Sequence, residues 1–128
     1  MVAFRVDGIP APQGSKIRTR YGMFEASKRV KPWRDAVKAA VANMEKIAAP
    51  YRVDVWFYIP RPKTTKHAHP VAPTVGDIDK LLRSTYDGLV QGGLIADDRF
   101  IITGSQSKKW AGEDGPGAVI RVHQEVTG

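Results

Sequence analysis

The chain contains no cysteine, which excludes disulfides, a thiolate nucleophile and cysteine-ligated zinc. No apolar run approaches the roughly 20 residues of a membrane-spanning helix, and the opening residues carry no signal-peptide core. A cytoplasmic protein with no membrane partner is therefore the expectation. Acid is scarce too. Against 20 Lys and Arg there are 13 Asp and Glu, giving a formal net charge of +7 and a pI of about 9.9. Such an excess favours a polyanionic partner, because each neutralised phosphate releases condensed counterions. Charge alone does not say which polyanion; its distribution says more.

What remains is ordinary globular material, 42% hydrophobic and 26% charged over 128 residues. That length suits a single domain, residues 1–128, with a real core. Val2 to Ile9 alternates loosely and reads as a strand, ended by Pro10 and Pro12. A basic loop is expected over residues 10–31, carrying Lys16, Arg18 and Arg20, with Tyr21, Met23 and Phe24 among the charges. Basic groups mixed with aromatics suit a groove that tracks a phosphate backbone, and they equally suit a solvated loop with an apolar anchor.

Pro32 opens a helix whose Trp33, Val37, Ala40, Val41, Met44 and Ile47 make one apolar stripe. Trp33 is assigned to packing. Tyr51 to Ile59 is the clearest strand: Val53, Val55, Phe57 and Ile59 face one way, and Arg52, Asp54, Trp56 and Tyr58 the other. The second face is too aromatic to be simply wet, and is open to a helix, a second subunit or DNA. Prolines at 60, 62, 70 and 73 then impose an extended basic loop over residues 60–75. Its His67 and His69 are read as solvated rather than as metal ligands.

A second helix follows from Asp77 to the Gly92-Gly93 stop, with Ile78, Leu81, Leu82, Thr85 and Leu89 as its inner stripe. Strands are expected at Phe100 to Thr103 and, beyond a glycine-rich loop, at Ala118 to Val126. The order is β-α-β-α-β-β. It predicts an α+β fold: a small two-layer domain with a mixed sheet of about four strands and two helices on one face.

The scarce acid is gathered. Asp77 and Asp79 stand at the mouth of the second helix, and Asp97-Asp98 follow its glycine stop. Taken singly, each has a plain explanation as a helix cap, a turn residue or an i,i+4 partner for Arg83. Taken together, they predict carboxylates at close range if the strand after Asp98 lies beside the Tyr51 strand. Such crowding raises pKa values, and Mg²⁺ or Mn²⁺ relieves it, since both take hard oxygen ligands. The same ion suits phosphodiester hydrolysis. Arg83, one turn beyond Asp79, would stabilise the charge that develops, with Lys80, Lys108 and Lys109 as further cations.

Asp77-Ile-Asp79, a basic residue at Arg83, Asp87-Gly88-Leu89 and Asp97-Asp98 at this spacing resemble the RusA family of Holliday junction resolvases, phage-encoded members included. Pro10-Ala-Pro-Gln-Gly-Ser-Lys16 and Lys31-Pro-Trp-Arg34 resemble phage members too. The resemblance implies a RusA-like fold and a homodimeric, Mg²⁺-dependent endonuclease that makes paired nicks in four-way DNA junctions. Asp77, Asp79 and Asp98 would be its metal-binding catalytic carboxylates. The family's essential lysine falls at Arg83, and an asparagine common after the second aspartate is Lys80 here. Two other readings stand beside this one: an inactive architectural DNA-binding module whose aspartates only cap a helix, and an RNA-binding or ribosome-associated protein.

Overall fold

The computed structural model describes residues 1–14 and 28–126 in full, and residues 16–19 and 22–25 as backbone. Along the chain run β1 (Val2–Asp7), β2 (Lys16–Thr19), β3 (Gly22–Glu25), α1 (Val30–Val41), β4 (Tyr51–Ile59) and α2 (Ile78–Gln91). After α2 come a 3₁₀ turn (Asp98–Phe100), β5 (Ile101–Thr103), β6 (Gln106–Trp110) and β7 (Gly117–Gln124). The expected α+β class holds, with two helices and a mixed sheet.

β4 is the axis of that sheet. On one side it pairs antiparallel with β7, which pairs antiparallel with β1. Its other edge is shared by two short parallel strands, β5 beside Tyr51 and Arg52, and β6 beside Val55 to Ile59. The alternation in β4 explains its central position. Val53, Val55, Phe57 and Ile59 are all buried, together with Ile120 and Val122 from β7.

The sheet has five strands because Gln106 to Trp110 joins it. This stretch reads as connection in the sequence, since it offers two lysines and little apolar alternation. Its partner β4 supplies the apolar surface instead. Residues 10–31 also hold more than a loop: β2 and β3 form an antiparallel hairpin, with Ile17 opposite Phe24 and Lys16 opposite Glu25. Residues 20 and 21 are Arg and Tyr rather than the Asn-Gly pair that signals a tight hairpin, so the sequence hides it.

Both helices lie on the Val53–Ile59 face of the sheet. α1 buries Val30, Trp33, Val37 and Val41, and α2 buries Leu81, Ser84, Thr85, Gly88 and Leu89. Each large side chain so buried stabilises the fold by about 1.5–3 kcal/mol. Trp33 is a core residue, as its spacing predicts, and its indole N–H donates to Thr85 Oγ1 at 3.1 Å. Gly88 sets how closely the helices approach: a Cβ there would lie 2.6 Å from Val37 Cβ and 2.9 Å from the Arg34 carbonyl oxygen. Gly92, one turn on, meets Val41 in the same way. Glycine at this four-residue spacing is thus a packing requirement.

The opposite sheet face carries Arg52, Asp54, Trp56 and Tyr58 with Arg5, Val119, Arg121 and His123 from β1 and β7. Two cations cover the aromatic rings: Arg121 lies 5.5 Å from the Trp56 ring centroid and Arg5 lies 5.7 Å from that of Tyr58.

Candidate active site

Asp77 occupies the N-cap position of α2 with extended backbone, yet its side chain makes no capping hydrogen bond. Its carboxylate is 73% exposed and lies 3.7 Å from Lys80 Nζ. The simple capping account therefore does not explain Asp77. Asp79 stands exposed in the first turn, where the helix dipole favours negative charge. Lys108 reaches the same place from the sheet. On β6 it points to the helix side, and its Nζ donates to the Gly76 carbonyl at 3.0 Å.

The segment before the hairpin lies along α2. Gln13 N donates to the Lys80 carbonyl at 3.0 Å, and Ser84 Oγ donates to the Ala11 carbonyl at 2.6 Å. The Gln13 side chain then bridges the two helices: Nε2 donates to Asp87 Oδ2 at 2.6 Å, and Oε1 accepts from Arg34 Nη1 at 3.1 Å. Gly14, at φ +96°, is pressed against Arg83. A Cβ there would meet Arg83 Nη1 at 2.5 Å. Gln13 and Asp87 are residues that the sequence reading left without a role. The only signal for them was their place in the Pro-Gln-Gly and Asp-Gly-Leu stretches.

The strand after Asp98 does pair beside β4. The register then decides where Asp98 lands. α2 runs opposite to β4: its start meets Lys108, which is level with Phe57, and its end meets the beginning of β4. There Ile47 N donates to the Leu94 carbonyl at 2.9 Å, and Ala96 N donates to Tyr51 Oη at 3.0 Å. β5 starts opposite Tyr51, so Asp98 comes to the later half of α2, beside Tyr86 and Asp87. Asp79 and Asp87 are eight residues apart, or about 12 Å of helix.

Charge is crowded at that end. Asp97 caps the 3₁₀ turn by accepting from Arg99 N at 3.0 Å. That bond, followed by one shared with Asp98, holds the Asp97 carboxyl below its ordinary value. Partial burial, then the Asp97 carboxyl and the Asp87 charge, push the Asp98 carboxyl up. Burial first, then the Asp98 and Asp54 charges, push the Tyr86 hydroxyl up as well.

The structure thus brings Asp77, Lys80 and Lys108 together at the mouth of α2, and sets Asp98 beside Asp97 and toward Asp87 at its later half. Arg83 lies between, against Gly14. Among the described residues no group of three His, Cys, Asp or Glu side chains is arranged to hold a metal ion. The donor chemistry nonetheless fits Mg²⁺, which usually takes one or two carboxylates and completes its shell with water and phosphate. At the mouth of α2, Asp77 and the exposed Asp79 supply two such carboxylates. Of the expected DNA contacts, Arg20 lies outside the described residues, and Lys16 and Arg18 are described as backbone in β2. No described helix is long and apolar enough to cross a membrane.

Comparison with known proteins agrees with the motif. The family model for endodeoxyribonuclease RusA matches residues 7–123, a span from the last residue of β1 to the next-to-last residue of β7 that takes in both helices and Asp77, Asp79, Asp87, Asp97 and Asp98. No curated protein matches the chain. The matched span covers nearly the whole fold, so the chain belongs to the RusA family of endodeoxyribonucleases.

Proposed function

We propose that this protein is a Mg²⁺-dependent, structure-specific endonuclease that resolves four-way DNA junctions by paired phosphodiester hydrolysis. The observation that carries the reading is the mouth of α2. There an uncapped Asp77 and an exposed Asp79 stand beside Lys80 and Lys108 in a chain of net charge +7. Asp77 and Asp79 would hold the ion, with Mn²⁺ as a substitute, and Asp98 would line the strand's path from the later half of α2. When bound, it supplies an activated water and neutralises charge at the scissile phosphate.

The chain's own residues bind and orient. Lys108 and Lys80 draw a backbone phosphate to the mouth of α2, and the exposed Arg83 offers a planar fork to the next oxygens. Arginine does not give up a proton near neutral pH, so Arg83 acts here as a clamp. Lys80 is the nearby side chain able to protonate a leaving oxygen. Gln13 positions the site by tying Asp87 to Arg34, and Gly14 fixes where the Arg83 guanidinium lies. The hairpin bearing Lys16, Arg18 and Arg20 adds phosphate contacts.

A junction has two equivalent strands to cut, and an isologous pair of subunits matches that symmetry. We assign the pairing to the open sheet face around Trp56 and Val119, and place the enzyme in the cytoplasm of a bacterial or phage-infected cell. The test is a synthetic four-way junction incubated with the protein in Mg²⁺ or in EDTA and resolved on a denaturing gel. Paired symmetric nicks in Mg²⁺ and none in EDTA are expected. Junction binding in EDTA with no nicking in either Mg²⁺ or Mn²⁺ would favour the inactive architectural module.

A further inference from the structure

A concavity of about 290 Å³ lies at the C-terminal end of β4, beside the start of α2, with no carboxylate in its own lining. Its lining combines Ile9, Pro10, Pro60 and Trp110 with the cationic side chains of Arg29 and Arg61. We propose that this pocket receives one nucleobase, unstacked from the strand that is cut, and thereby reads the base beside the scissile phosphate. The inference rests on the endonuclease reading for its substrate.

Four observations carry it. The volume lies just below the about 300–1,000 Å³ typical of ligand sites, which suits a single ring system better than a duplex. The indole of Trp110 is fixed, because its Nε1 donates to the His67 carbonyl at 3.0 Å, so it offers a preset stacking surface. Arg61 is exposed and brings donors suited to base edges in a strongly basic chain. The pocket is also continuous with the mouth of α2. Val75 lines it two residues before Asp77, and Trp110 lines it two residues after Lys108 on the same side of β6. A base seated there leaves its neighbouring phosphate toward Asp77, Lys80 and Lys108. Bases at a branch point are the ones that unstack at least cost.

The test scans single abasic substitutions across the three nucleotides on each side of the nick in a synthetic junction. Two rates or constants are compared between intact and abasic DNA: the single-turnover nicking rate in Mg²⁺ and the junction Kd in EDTA. For the wild type, one abasic position is expected to cost about tenfold or more in both. Ala72→Phe, which fills the pocket from its wall, and the exposed Arg61→Gln should each bring the intact and abasic junctions to within about twofold of one another. An equal penalty in wild type and both variants, or no sensitive position at all, overturns the proposal. If the wild type nicks nothing, the endonuclease reading falls, while the Kd gap in EDTA still decides the pocket.

Discussion

Asp54→Asn is expected to lower folding stability by about 2–4 kcal/mol at neutral pH. Asp54 is fully buried on the sheet face opposite the helices. Its Oδ2 accepts from Arg52 Nε at 3.2 Å, Arg121 Nε at 3.0 Å and Arg121 Nη2 at 2.9 Å. Its Oδ1 accepts from Ser105 N and Ser105 Oγ, both at 2.9 Å. Burial by itself would push this carboxyl up, but the bonds from Arg52, Ser105 and Arg121 outweigh it and hold the group well below the ordinary carboxylate range. Removing one member of a buried charged cluster costs about 3–5 kcal/mol when the rest cannot rehydrate. Here Arg52 and Arg121 keep 34% and 39% side-chain exposure, so part of that cost is recovered through water.

Urea denaturation at fixed m-value measures the difference directly, and a melting temperature lower by roughly 8–15 °C should accompany it. The pH dependence has a definite sign. Because the folded-state pKa is depressed, the stabilisation is complete above the unfolded value of about 3.9 and disappears as the pH falls from there toward the folded value. The gap between wild type and Asp54→Asn should therefore be full at pH 7 and shrink progressively below about pH 4. A gap under about 0.5 kcal/mol at pH 7, or one that persists undiminished in acid, would refute the assignment of Asp54 as the clamp of this face.

Three further outcomes follow from the geometry. Gly14→Ala, at φ +96° and against Arg83, should cut the nicking rate by about 10–100-fold while changing junction affinity much less; an unaltered single-turnover rate would remove Arg83 from the site. Asp87→Asn should lower the Asp98 titration in carboxyl-resolved NMR, because one of the charges raising it is gone; an unmoved Asp98 titration would mean that burial and Asp97 alone account for the shift. Val119→Glu places a carboxylate between Arg5 and Arg121 at the centre of the open sheet face. Sedimentation should then give a folded monomer in place of the dimer proposed for the wild type, and a dimer that survives would move the interface elsewhere.

The parts of the fold that could be read from sequence are those where one side chain's periodicity decides the outcome. β4 carries a clean two-residue alternation, and the α1 and α2 stripes put Trp33, Val37, Leu81 and Leu89 into the core as spaced. β6 escaped because Gln106, Ser107, Lys108 and Lys109 carry no such pattern; their strand exists through parallel pairing with β4, a tertiary effect. The hairpin escaped for want of a turn signal. Within the site, the mouth of α2 was legible because Asp77, Asp79 and Lys80 are neighbours in sequence. Lys108 was named as a cation, but its anchor on Gly76 depends on β6 and could not be foreseen. The position of Asp98 depended on a register. Spacing alone cannot say that Ile101 falls opposite Tyr51, which carries Asp98 toward Asp87. Gly88 was legible only as a motif letter, and its reason, the approach of Val37 and the Arg34 carbonyl, is visible only once the helices are packed.

The central claim concerns carboxylates at the start of α2 acting on a DNA strand, and Asp79→Asn tests it with the least change in shape. Single-turnover nicking of a four-way junction and junction affinity are to be measured side by side in wild type and variant, in Mg²⁺. The account predicts nicking lower by at least about a thousandfold with affinity within about threefold of wild type. Nicking at the wild-type rate by Asp79→Asn would contradict it.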